Sequence, residues 1–547
     1  MNLNKEALAP GLTYEQELEY MKLSPFEVTG ILKDKAENAC QRLISQGKEC
    51  EVLNAGRGNP NFLNTIGRKA FAKLVLFATE MAGKDTKKNS LGWRPNKRRI
   101  AEELDIYLKE DGSEEALFLK DAINYAESIL ELNPNDFVFE LTDAALGDFY
   151  PDPPIIYPNI GKIVDNYLTD VIMPNNRPAG EFSLFATEGA TEAMVYSFKS
   201  LKENHIIHPG DWIATITPIF APYLEIPVLE SYKLINVKIK ESEDMEWQIP
   251  NKELKKLEDE RIKILFLVNP TNPTSVGISR QTINKIADLV NTKRQDLIII
   301  TDTVYANFVD DFYSLVSVIP KNTLCIYSYS KYFGVTGWRL GVIMLYEGNV
   351  IDRLIANHPD DIKHKLNERY GIISTEPEKI KFIDRLEMDS RDVALAHTGG
   401  LSGPQQAIMC IFSLFNLMDY GRAYENSIKK ILDDRIQTLY TYFPGGYQYL
   451  KGSNKTHYYS LINIVTLAKE KYGKDFSKYL TEKFVALDFI TKLASERAII
   501  CLPGAGFAGP EWTLRVSLAN LCNQDYLKIG KAIIETLEDY YKYYQKN

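Results

Sequence analysis

The sequence predicts an α/β protein built on a mostly parallel, buried sheet, and three observations carry that expectation. Between residues 180 and 345, the short apolar runs DWIATIT, IKILFLV, DLIIITD and LCIYSYS alternate with helical stretches, the pattern of strands alternating with crossover helices. Three of these runs stop at polar side chains: Asn269, Asp302, and the set Ser328, Ser330 and Lys331. In open α/β sheets, ligands bind outside the carboxyl ends of the strands. Helical segments flank the region on both sides, so a second, smaller α/β domain is expected from the two chain ends.

Taken in order, residues 1–64 are expected to form an N-terminal arm and part of the small domain. Residues 65–140 are rich in Lys, Glu, Ala and Leu, as in RRIAEELDIYLKE, and predict a helical insertion. YPDPPIIYPNI at 150–160 is a proline-rich break. Residues 141–390 are expected to hold the large domain, its sheet sandwiched by helices. Residues 391–547 complete the small domain with strand-like stretches at HYYSLINIVTL, RAIICLPG and WTLRVSLA, and the amphipathic ending IGKAIIETLEDYYKYY.

Of the 547 residues, 45% are hydrophobic and 25% charged, with a net charge of -9. That balance excludes a general binder of nucleic acid or anionic membrane. The six cysteines form no C-x-x-C pair and are expected to be reduced thiols and buried fillers in a cytoplasmic protein. The start lacks a signal-peptide core, no apolar run approaches a membrane span, and the histidines show no metal spacing, so no metal is expected.

Why would SYSKYFGVTGWRLG, residues 328–341, place Lys331 just past a buried strand, away from other charges? It needs a partner or a task. FATEGATEAM, at 185–194, adds a small-residue turn, Gly189, Ala190 and Thr191, opening a helix. Free backbone N–H groups there suit a phosphate, though alone the turn fits an ordinary helix cap equally well. Ser328, Ser330 and Arg339 can add hydroxyls and a guanidinium. A phosphate site, an amine and a buried carboxylate together point to pyridoxal 5'-phosphate. Lys331 would bond its aldehyde and Asp302 its pyridinium nitrogen; Tyr305 and Asn272 would reach its ring hydroxyl. Phe220, in PIFAPY, would stack on the ring or serve as plain core.

These stretches resemble the fold-type I pyridoxal-phosphate aminotransferases. The resemblance rests on TEGATEA (187–193), HPGDWIATITPIFAPY (208–223), NPTNPTS (269–275), DTVY (302–305), SYSKYFGVTGWRLG and LRVSLA (514–519). NPTS stands in place of the more usual NPTG, and Thr303 where an acid is frequent. The resemblance implies that Arg515, with Asn272 and the backbone of Gly58, holds the substrate's α-carboxylate. It further implies a site formed across a homodimer, and Tyr150 is the expected phosphate contact from the second subunit.

Within that superfamily the chain is similar to the aspartate 4-decarboxylases, on LSPFEVTGIL followed by LNAGRGNPNFL, on RDVALAHTGGLSGPQQ, and on two insertions. This implies β-decarboxylation of L-aspartate to L-alanine and carbon dioxide through a ketimine, with side transamination of 2-oxo acids, in a larger homo-oligomer. Arg57 and Arg391 are candidates for the β-carboxylate; each fits a structural salt bridge as well. His397 fits a simple turn. The alternative is an aspartate or aromatic aminotransferase without decarboxylase activity. A cofactor-binding regulator is disfavoured, because no basic helix-turn-helix segment is present.

Overall fold

The computed structural model describes residues 6–10, 12–20, 23, 25–84, 86, 90–229, 231–446, 452 and 454–547. The first five residues of the expected arm, and Ser24 of LSPFEVTGIL, lie outside them.

The strands, in chain order, are β1 (Leu53–Asn54), β2 (Phe182–Thr187), β3 (Trp212–Thr217), β4 (Ile235–Lys240), β5 (Ile262–Val268) and β6 (Ile298–Asp302). They continue with β7 (Thr323–Ser328), β8 (Gly341–Tyr346), β9 (Tyr459–Asn463), β10 (Ile499–Ile500), β11 (Leu502–Pro503) and β12 (Thr513–Ser517). A seven-stranded sheet takes the order β2-β8-β7-β6-β5-β3-β4. Neighbours from β7 to β4 pair in parallel, and β8 runs antiparallel to both β7 and β2. The expected mostly parallel sheet is therefore present, with one reversed strand. Residues 329–340 hold only one short 3₁₀ turn, Thr336–Trp338, and no crossover helix, so the chain returns antiparallel. That return keeps Ser330, Lys331 and Arg339 at the carboxyl edge of β7.

Alternation along β5 explains why this sheet is buried on both faces. Ile264, Phe266 and Val268 enter the larger core, whereas Leu265 and Leu267 enter a second one with Ile283, Ile286 and Val290. The last three come from the helix Arg280–Thr292. The opposite face is covered by the helices Ala190–Glu203 and Pro158–Ile172. Each fully buried Ile, Leu or Val contributes about 1.5–3 kcal/mol, so a one-residue slip would turn both sets onto the wrong faces.

Strands β11, β12 and β9 form an antiparallel sheet, and β1 pairs in parallel with β10. The N-terminal strand thus completes a unit made mostly by the C-terminal third. The helix Pro25–Ser45 packs on Ala486–Arg497, and the last helix, Asn523–Lys546, packs on Ala423–Leu439. The stretch where a helical insertion is expected holds the helices Thr65–Gly83, Ile100–Leu108, Glu114–Ser128 and Pro134–Leu146. Its last helix continues past the expected boundary at 140. The group packs on Gly403–Met418 and Pro158–Ile172.

The cysteine expectation needs correcting. Cys40 and Cys50 are joined in a disulfide, with Cα atoms 5.4 Å apart. The helix carrying Cys40 ends at Ser45, and the chain reverses through Gly47, whose φ is 77°. That turn returns Cys50 alongside Cys40, a proximity that no C-x-x-C spacing announces. Cys325, Cys410 and Cys501 are free and buried, as expected, but Cys522 is exposed and caps the final helix. Among the described residues, no helix is long and apolar enough to cross a membrane.

Candidate active site

The polar strand ends converge on a cavity of about 600 Å³, walled by both sheet systems. Lys331 lies in the turn after β7, half-buried, and its Nζ donates to the Gly58 carbonyl at 3.1 Å. No carboxylate pairs with it among the described residues. Asp302 ends β6 at 4% exposure. Its Oδ2 accepts from the Tyr223 hydroxyl at 2.8 Å and its Oδ1 from the Val304 N–H at 3.0 Å. Burial pushes the Asp302 pKa up to about 6, against the opposing pull of those two donors and the Lys331 charge.

That shift makes a prediction for the cofactor-free chain. The folded pKa is raised above the unfolded value, so the stabilisation from protonating Asp302 is full below about pH 4. It is lost as the pH rises through about 6. The span is roughly 3 kcal/mol. Urea unfolding of the cofactor-free protein across that window is expected to show the loss, and Asp302→Asn to flatten it. An equal slope in both proteins would refute the assignment.

Gly189 caps the helix Ala190–Glu203 with φ 106°, a left-handed backbone that favours glycine, and no side chain caps the first turn. A Cβ on Gly189 would lie 2.5 Å from Arg339 Nη2, and one on Gly341 within 3 Å of the Gly189 backbone. Two glycines thus let the β2 and β8 ends close on each other beside the guanidinium. Arg339 donates from Nη2 to Thr191 Oγ1 at 3.0 Å and to Glu192 Oε2 at 2.7 Å. Burial raises the Glu192 carboxyl, but hydrogen bonds from Thr191 and Arg339 outweigh it and hold it below its usual range. Ser328 Oγ donates to Ser330 Oγ at 2.9 Å.

On the facing wall, Arg515 projects from β12, buried at 4% exposure. Its partners are neutral: Asn272 Oδ1 at 3.1 Å and the Gly56 carbonyl at 2.5 Å. Its Nε has no partner among the described residues. The guanidinium lies over the rings of Tyr459 and Phe507 at 4.4 and 4.6 Å. Burial works against its charge, so this is a desolvated cation suited to binding an anion. Arg57 lines the same cavity, exposed and without an acidic partner among the described residues.

Most sequence-predicted residues therefore meet at one cavity, Phe220, Asn272 and Tyr305 included. Three do not line it: Arg391, Tyr150 and Gly189, the last of which abuts the lining Arg339. Arg391 donates to Glu387 Oε1 at 2.8 Å, one helical turn back, and lies outside the cavity wall. Tyr150 is 61% exposed and packs at a tilt against His397, with ring centroids 4.4 Å apart. Sequence reasoning passed over Tyr223, Tyr458 and Tyr459. Tyr223 closes the PIFAPY motif three residues after Phe220, which was a usable signal. The Tyr458–Tyr459 pair read only as the start of a strand.

The donor set fits pyridoxal phosphate: an amine that pairs with no carboxylate among the described residues, a buried carboxylate, and a helix start with no side-chain cap beside a guanidinium, where no Cβ fits. Residues 184–533 match the family of class I and II aminotransferases, and the chain belongs to that family. Its members use pyridoxal phosphate. More particularly, the chain is 39% identical over 526 residues to a bifunctional aspartate aminotransferase and L-aspartate beta-decarboxylase of Pseudomonas sp, spanning 96% of this chain and 97% of that one. An aspartate aminotransferase of Pyrococcus abyssi is 31% identical over 160 residues, 28% of this chain and 39% of its own. A solved Thermus thermophilus aspartate aminotransferase double mutant superposes with a TM-score of 0.57 at 15% identity, covering 93% of this chain and 96% of that one. The fold is that of the fold-type I aminotransferases.

Proposed function

We propose that this protein removes the β-carboxylate of L-aspartate, giving L-alanine and carbon dioxide, with aspartate transamination as a side activity. One observation carries the substrate class: two guanidinium groups without acidic partners among the described residues, Arg515 and Arg57, line the cavity that holds the Lys331 amine. That arrangement suits a small dicarboxylate. The near-full-length similarity to a bifunctional enzyme supports decarboxylation over transamination alone.

Pyridoxal phosphate, when bound, supplies the electron sink for carbanion chemistry at Cα and Cβ. Everything else falls to the chain. Gly189, Ala190, Thr191, Ser328, Ser330 and Arg339 form the phosphate cradle. Asp302 supplies the buried negative charge that keeps a ring nitrogen protonated, and Phe220 offers a ring face. Arg515 and Asn272, beside Gly58, orient the α-carboxylate. Lys331 Nζ then moves the proton at Cα and returns one on the product side. Its hydrogen bond to the Gly58 carbonyl, which also accepts from Tyr458 at 2.9 Å, holds the amine at the cavity wall.

Arg57 would meet the β-carboxylate. Its exposure suits that task, because a desolvated salt bridge would bind the ground state and oppose loss of the charge. Arg391, tied to Glu387, is the weaker candidate. The organisation 1–64, 65–140, 141–390 and 391–547 belongs to the same reading, supported by the β1–β10 pairing. So does a homodimer or larger assembly in which Tyr150, exposed here, reaches the partner's phosphate site.

The test mixes purified protein, pyridoxal phosphate and excess L-aspartate with no 2-oxo acid. Many turnovers to alanine and carbon dioxide are expected. At most one equivalent of oxaloacetate would mean an aminotransferase without decarboxylase activity.

A further inference from the structure

The cavity wall carries a pair of phenols, Tyr305 and Tyr459, of which Tyr459 has no role in the reading above. Tyr305, just beyond β6, and Tyr459, the first residue of β9, come from different sheets and are both about 3% exposed. Their hydroxyls lie 2.9 Å apart. Neither has another protein hydrogen-bond partner among the described residues. The neighbouring Gly58 carbonyl already accepts from Lys331 Nζ and from the Tyr458 hydroxyl, which fills both its lone pairs. A Cβ on Gly58 would lie 2.5 Å from the Tyr459 hydroxyl and 3.5 Å from Lys331 Nζ. The pair therefore sits beside the amine.

Two phenols in one hydrogen bond share roles: one donates, and the other keeps its own proton for something else. The Arg515 guanidinium lies over the Tyr459 ring, 4.4 Å from its centroid. A cation over a phenol ring withdraws density and favours that phenol as the donor. Burial and the neighbouring phenols keep Tyr305 protonated far above the usual range. The contact geometry allows either direction; these two effects favour Tyr459 as the donor, which leaves the Tyr305 proton to turn into the cavity.

We propose that Tyr459 is a positioning residue: by donating to Tyr305 it fixes the direction of the Tyr305 hydroxyl and strengthens it as a donor toward the ring oxygen of the bound cofactor. A chain of hydrogen bonds polarises its members, so the second donor strengthens the first. The anionic ring oxygen is thereby stabilised, and the Lys331 nitrogen bonded to the cofactor loses its proton at a lower pH. This inference rests on the cofactor reading above.

The experiment is a spectrophotometric pH titration of the holoenzyme without substrate, reading the visible absorbance of the bound cofactor. Tyr459→Phe keeps the ring and its contact with Arg515, removing only the hydroxyl. Its titration midpoint is expected to rise by about half a pH unit. Tyr305→Phe should raise it further, and the double variant should match Tyr305→Phe. An unchanged midpoint in Tyr459→Phe overturns the proposal, as does an additive double variant, which would mean that Tyr459 acts without Tyr305. A wild-type protein that takes up no chromophore overturns the cofactor reading itself, a result distinguishable from either.

Discussion

Replacing Lys331 by alanine is expected to abolish turnover of L-aspartate, lowering kcat by at least about a thousandfold. Among the described residues, the amine's one hydrogen bond is to the Gly58 carbonyl, which keeps the Tyr458 hydroxyl. The fold should therefore survive, and circular dichroism should be unchanged. Both products should fall together, because alanine formation and transamination share the proton transfer at Cα. Added small primary amines should restore part of the rate by entering the vacated space. Arginine at 331 should not restore it, since a guanidinium stays protonated. If the alanine variant kept more than a tenth of wild-type turnover, Lys331 would not be the group that moves the proton.

The second large effect is expected at Arg515, where function and stability should move in opposite directions. Its guanidinium is buried against two carbonyl-type oxygens and two aromatic rings, with no carboxylate among the described residues to offset the charge. Methionine has a similar length and no charge. Arg515→Met should leave the cofactor-free protein as stable as wild type, or more so, since a buried cation without an anion is costly. The kcat/KM for aspartate should drop by about 10²–10⁴-fold, the loss of two charge-assisted hydrogen bonds to one carboxylate. Thermal unfolding and steady-state kinetics on the same sample decide it. A variant both less stable and kinetically unimpaired would make Arg515 a structural residue.

Much of this site was legible because its residues stand where local pattern places them. Asp302, Ser328 and Lys331 end apolar runs, and strand ends in a parallel sheet share one edge. Gly189 and Arg339 belong to short stretches whose spacing depends on a turn and a helix start. Arg391 shows the limit of such reading. It sits in a stretch similar to one group of enzymes, yet its guanidinium pairs with Glu387, four residues back on the same helical face. Arg57 came from an equally short motif and reached the cavity, because β1 is held by β10 and delivers Gly56, Arg57 and Gly58 to the wall. The Cys40–Cys50 bridge shows a second limit: a reversal through Gly47, rather than a cysteine motif, made the pair.

By itself, then, the sequence determined the α/β class, the order of helix and strand, and the polar groups at the carboxyl edge, since hydrophobic period and strand length are properties of neighbouring residues. Only the tertiary structure decided which groups from distant segments meet. Tyr223 reaches Asp302 across 79 positions, Tyr459 reaches Tyr305 across 154, and Arg515 reaches Asn272 across 243. Those contacts depend on how two sheet systems pack against each other, and the desolvation that raises Asp302 and leaves Arg515 without a counter-ion exists only once that packing has excluded water.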